Sequence, residues 1–117
     1  MNRVNALIIP ADMNEPAQIE SIDAGLQNLQ SIVAGNIEAV SGDDWHFYLN
    51  EEGKNLGLEP NRHAALLLLE ATGTLTDVYC GNVVFLGETA DGSEGNGPGH
   101  LIDLAQQSGN DRPDIER

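Results

Sequence analysis

Basic residues, aromatics and cysteine are all scarce in this chain. Five Lys and Arg stand against nineteen Asp and Glu in 117 residues, a formal net charge of −14. Such a surface repels phosphate, which disfavours direct binding to DNA, RNA or an anionic membrane and speeds encounter with a basic protein surface. The plainer role of the same charge is solubility. The single cysteine, Cys80, excludes an intramolecular disulfide and any cysteine-rich zinc pattern. It stands in an apolar context with no basic neighbour in sequence and reads as a buried, inert thiol. Aromatics are 4% of the chain, so Leu, Ile, Val and Ala must build most of the core. No apolar run approaches the roughly 20 residues of a membrane-spanning helix. The segment from Met1 to Pro16 lacks the apolar length and small-residue cleavage pattern of a signal peptide, which makes the expected location cytoplasmic.

The length supports one domain. Ala6-Leu7-Ile8-Ile9 is continuous and apolar, as suits a strand covered on both faces, and Pro10 ends it. Gln18 to Ile22 reads as a half-exposed second strand that closes a hairpin with the first. Asp23 is placed as a helix N-cap, Leu26, Leu29, Ile32 and Val33 recur at helical spacing, and Gly35 is placed to end that helix in the left-handed conformation. Asn36 to Ser41 and Trp45 to Asn50 read as a second hairpin, with Trp45, Phe47 and Leu49 on its core face. Glu51 to Lys54 reads as a turn. Arg62 to Ala71 reads as a buried helix, because Leu and Ala dominate and β-branched residues are absent from His63 onward; Asn61 caps it, or Pro60 occupies its first turn. Asp77 to Leu86 reads as a strand with a bulge or turn at Gly81-Asn82.

From Glu88 onward Gly, Asp, Glu, Ser and Asn dominate. The composition predicts a mobile acidic tail over residues 88–117, after an α+β domain at 1–87. One island, His100 to Gln107, can form about two helical turns, too short to be stable alone. Leu101, Ile102 and Leu104 are its candidate contact residues toward its own domain, a second subunit or a partner. The predicted architecture is a mixed or antiparallel sheet of about five strands with two helices on one face, opening like a β-grasp fold.

Candidate chemistry is thin. His46, His63 and His100 lie far apart and lack metal-ligand spacing, and no nucleophile elbow or phosphate-binding glycine loop is present. No catalytic residue, metal site or cofactor is assigned. Asp43-Asp44 and Glu51-Glu52 are acidic pairs in turns, where neighbouring side chains diverge, so they read as solvated turns before they read as acid–base couples or hard-cation sites.

The segments ALIIPAD (6–12), LQNLQSIVAGNIEAV (26–40), YLNEEGKNLGLEPN (48–61) and DVYCGNVVFLG (77–87) resemble the family called domain of unknown function 3846. Its members are small proteins of actinobacteria, their plasmids and their bacteriophages. The most specific stretch is the NEEG-x-x-x-GL-x-x-N pattern from Asn50 to Asn61, followed by Ala64. The family's usual Thr after that Ala is replaced here by Ala65, so no hydroxyl is available there. The resemblance implies a phage or mobile-element accessory protein, acting in the host cytoplasm, and no transferable activity.

Two readings of the pattern remain open. Its Asn and Gly residues are turn and cap formers that shape a loop. Alternatively Asn50, Glu51, Glu52, Lys54, Asn61 and Arg62 form a polar recognition surface. The expected function is a non-enzymatic module that binds a host or phage protein with a basic surface, DNA mimicry being its sharpest version. The alternative is a small-molecule or metal-binding protein using the loop 50–61. A homo-oligomer paired through the Leu66–Leu69 helix or an open sheet edge is a third.

Overall fold

A computed structural model describes residues 3–42, 44–75 and 77–110. The chain folds around an antiparallel sheet of β1 (Arg3–Ile9), β2 (Gln18–Asp23), β3 (Ile37–Ser41), β4 (Trp45–Asn50), β5 (Val83–Glu88) and the two-residue β6 (Glu94–Gly95). The strands lie in the order β2-β1-β5-β4-β3, and β6 pairs with β5 beyond the end of its pairing with β1. The described residues also form four helices, α1 (Leu26–Val33), α2 (Gly53–Leu56) and α3 (Arg62–Thr72) between strands and α4 (Gly99–Asn110) after β6. The fold is α+β, with both hairpins as the sequence predicts. β1, β2 and α1 form the opening compared above with a β-grasp; beyond it every pairing is antiparallel.

The helices cover both faces of the sheet, where one face was expected. Alternation along β5 sends Val83 and Phe85 to one side and Val84 and Leu86 to the other. The first side also carries Leu7, Ile9, Trp45, Phe47 and Leu49, and packs on Ala64, Leu67 and Leu68 of α3 and on Leu101 and Ala105 of α4. The second packs Val4, Ala6 and Ile22 on Leu29 and Val33 of α1. The central strands are therefore buried on both faces, which is why their apolar runs are continuous.

Several local expectations change. α1 begins at Leu26, after Gly25 as its N-cap; Asp23 instead accepts a bond from the Gly25 N–H at 3.1 Å, a turn just ahead of the helix. It is Ala34, with φ +65°, that takes the left-handed end. Gly35 serves close approach, since a Cβ there would lie 2.5 Å from the Asn50 Nδ2. The predicted turn at Glu51–Lys54 becomes the short α2, closed by Gly57 at φ +73°. The predicted strand at 77–86 starts only at Val83. Ahead of it the backbone bonds to the 59–61 loop: Asn61 N–H donates to Tyr79 O and Gly81 N–H to Glu59 O, both at 2.8 Å.

The largest change lies after Glu88. The segment read as a mobile tail supplies β6 and α4, and Leu101 is wholly buried against α3 and the sheet. The expected boundary at Gly87 is absent, because a helix too short to stand alone gains its stability by covering a face of α3 that composition alone does not reveal as bare. Residues 111–117 of that predicted tail lie outside the described residues.

Candidate functional site

The loop from Asn50 to Asn61 lies at one end of the sheet, and the structure divides its six candidate residues by direction. Asn50 and Asn61 turn inward. Asn50 Nδ2 donates to the carbonyls of Val33 (3.3 Å) and Ala34 (3.2 Å), and its Oδ1 accepts from the Glu52 N–H at 2.8 Å. Asn61 Nδ2 donates to Ile9 O (2.8 Å) and Gly81 O (2.9 Å), and its Oδ1 caps α3 through the Ala64 N–H at 2.9 Å. Both asparagines are almost fully buried. They satisfy backbone groups that burial would otherwise leave unpaired, and they tie loop, helix and sheet together. Gly53 completes this packing: a Cβ there would stand 2.7 Å from the Cys80 carbonyl.

Glu51 and Lys54 turn outward and line a recess of about 280 Å³ with Glu38 of β3, Asp77 and Val78. Glu52 and Arg62 are exposed but do not line it. Lys54 Nζ sits 2.5 Å from Asp77 Oδ1, which also accepts the Val78 N–H at 2.7 Å. The Lys54 ammonium and that N–H hold the Asp77 carboxyl below the usual carboxylate range, and the bond to Asp77 in turn raises Lys54. The pair is exposed and adds little to stability. Its interest is chemical: this recess already seats an ammonium group, and Glu38 and Glu51 add two further carboxylates.

A second recess, of about 190 Å³, opens beside the first. Val40 of β3, Trp45, Phe47, Leu68, Leu75 and Tyr79 give it apolar and aromatic walls. Tyr79 lines both recesses and meets Phe47 edge to face, ring centroids 5.1 Å apart. Leu75 and Val78 are 44% and 52% exposed, so apolar surface continues onto the rim.

Elsewhere the sequence reading missed a polar cluster. The Glu94 carboxylate of β6 bridges His46 Nε2 at 2.6 Å and the Tyr48 hydroxyl, which donates at 2.5 Å. Burial pushes Tyr48 above the usual tyrosine range, and its bond to Glu94 adds to this. His46 and Tyr48 alternate on one face of β4, a visible signal, but Glu94 lay in the segment read as a tail. The cluster fastens β6 to the sheet, and separately His100 Nε2 of α4 lies 3.2 Å from Asp44 in the turn before β4. Asp43, the other half of that acidic pair, lies outside the described residues. Leu101, Ile102 and Leu104 all pack against the chain's own core. Among the described residues no group of three or more His, Cys, Asp or Glu is arranged to hold a metal ion, and no helix is long and apolar enough to cross a membrane.

Fold and site thus define a small α+β domain with a grooved, acidic end to its sheet. Residues 4–107 match the profile of the family described as a domain of unknown function (DUF3846), and the chain belongs to that family. The match runs through α4's buried residues, in keeping with their place in the core. No curated protein matches the sequence. Among solved structures, the crystal structure of the small RNA methyltransferase HEN1 is similar over 90% of this chain, with a TM-score of 0.54 and 14% identity. The chain spans only 16% of that protein's length, and at this identity the likeness concerns the fold alone.

Proposed function

We propose that this protein is a non-enzymatic accessory module that binds another protein through a basic surface on the partner. In the phage or mobile-element setting the family resemblance implies, the partner is a host or phage protein in the host cytoplasm. The observation that carries this reading is the recess where Glu38, Glu51 and Asp77 converge around a single lysine. An ammonium or guanidinium from a partner finds Glu38 and Glu51 there, which among the described residues make no ion pair, while Asp77 is held by Lys54. The rest of the surface supports it: among the described residues, every Asp and Glu is exposed except the half-buried Asp23 and Glu94. A field of that sign steers a basic partner toward the recess and raises the association rate. DNA mimicry is the sharpest form of the proposal, with the carboxylates standing in a phosphate-binding site of the partner.

The test is affinity capture from host lysate on two baits, the full chain and its E38Q/E51Q variant, with elution by a salt gradient. The expected result is a basic protein held by the wild type, lost from the variant and released by salt. Equal retention on both baits, or no retained protein at all, overturns the proposal.

A further inference from the structure

β3 ends the sheet, and among the described residues no strand pairs with its outer edge. The ladder with β4 shows which backbone groups face outward. Gly42 N–H donates to Trp45 O at 2.7 Å and Glu51 N–H to Asn36 O at 2.9 Å, in register with the pairs Glu38↔Leu49 and Val40↔Phe47. Antiparallel bonding alternates, so the even-numbered residues of β3 bond to β4, and the N–H and C=O groups of Ile37, Ala39 and Ser41 point away from it. The opposite edge of the sheet differs: there the Ser21 carbonyl of β2 already accepts the Arg3 guanidinium at 2.6 Å.

Both recesses described above open beside this β3 edge, on the same face. Glu38 and Val40 are two residues apart on one strand and so project to one side, about 7 Å apart. Glu38 borders the acidic recess and Val40 the aromatic one. Across from them, Leu75, Asp77, Val78 and Tyr79 form the other wall. Side chains at alternate positions of an added strand have the same spacing and share a face. We infer that the β3 edge is a docking site for an extended basic segment of another protein, which adds to the sheet as an antiparallel strand. It places an apolar side chain in the Trp45–Phe47–Tyr79 recess and, two residues later, a Lys or Arg against Glu38 and Glu51 in the acidic recess, beside the Lys54–Asp77 pair. Main-chain bonds to Ile37, Ala39 and Ser41 supply affinity, and the two recesses select the sequence. The occupant is basic because the recess and the whole chain are acidic. A second copy of this chain, also carrying −14, is repelled, and Glu38 on the edge is the kind of charge that blocks such self-pairing.

The inference rests on the proposed binding function, which it sharpens. Its test uses the full chain, labelled with nitrogen-15, and a synthetic peptide Ser-Thr-Leu-Thr-Lys-Thr-Ser with both ends blocked. A second peptide has Leu and Lys adjacent, and a third is N-methylated at the Thr between them. The expected result is saturable amide shifts at Ile37, Ala39 and Ser41 and at the Trp45 indole, with affinity falling at least about tenfold for each altered peptide. The A39P variant, which loses an outward N–H and no bond to β4, is expected to lose the peptide while keeping its spectrum elsewhere. No binding, shifts on another face, or indifference to both the spacing and the N-methyl group overturns the strand-addition mode. If the captured basic protein still depends on the carboxylates in that case, the wider proposal stands without it.

Discussion

Asn61 makes three hydrogen bonds from one buried amide, to two carbonyls on different segments and to the first turn of α3. Removing it strands the Ile9 and Gly81 carbonyls in a place where water cannot replace it, and uncaps a helix. Asn61→Ala is therefore expected to destabilise the domain by about 3 kcal/mol, the sum of a lost cap and two unsatisfied acceptors. Urea unfolding with an unchanged m-value and a lower midpoint is the measurement. Glu52→Ala, which alters an exposed side chain outside the recess, is the control and leaves the midpoint within error. The residue type at 61 is readable from sequence as a cap. Its two long-range bonds are not, since they join segments about 50 and 20 residues distant.

α4 is the element most at odds with composition. Between its Gly-rich approach and polar end it offers Leu101, Ile102, Leu104 and Ala105, too few for an independent helix. What stabilises it is α3, whose Leu67 and Leu68 share a core cluster with Leu101 and Ala105. Leu101→Ala removes a fully buried side chain and is expected to cost about 3 kcal/mol; calorimetry checks this, and an unchanged melting temperature would mean α4 is not docked. β6 is similarly hidden in the sequence. Two residues, Glu94 and Gly95, carry no periodic pattern, and only the meeting of Glu94 with His46 and Tyr48 shows where they belong. By contrast β4 is legible in full, because Trp45, Phe47 and Leu49 alternate with residues of the other face and both ends are marked by turn formers.

For the molecule as a whole, charge sets the terms. Nineteen acidic residues in one short chain repel one another, and folding concentrates those of the domain. Sodium chloride raised from about 0.01 M to about 0.15 M shortens the screening length from about 30 Å to about 8 Å. The expected result is a higher melting temperature, followed by thermal unfolding at constant pH; a flat or falling dependence would mean the repulsion is already offset in the fold. The same salt weakens capture of a basic partner, so stability and binding are expected to respond in opposite directions.

By itself the sequence determined the α+β class, both hairpins, the period of α1, the existence of α3 and the acidic character of the chain. Each rests on local propensity, periodicity or composition, which act within a few residues. Only the tertiary structure decided that helices cover both faces, that the segment after Glu88 completes the core, and that the Asn50–Asn61 pattern splits into an inward scaffold and an outward rim. Those outcomes depend on which surfaces meet, and Glu38, Glu51 and Asp77 converge only because β3, the loop and the approach to β5 are brought to one end of the sheet.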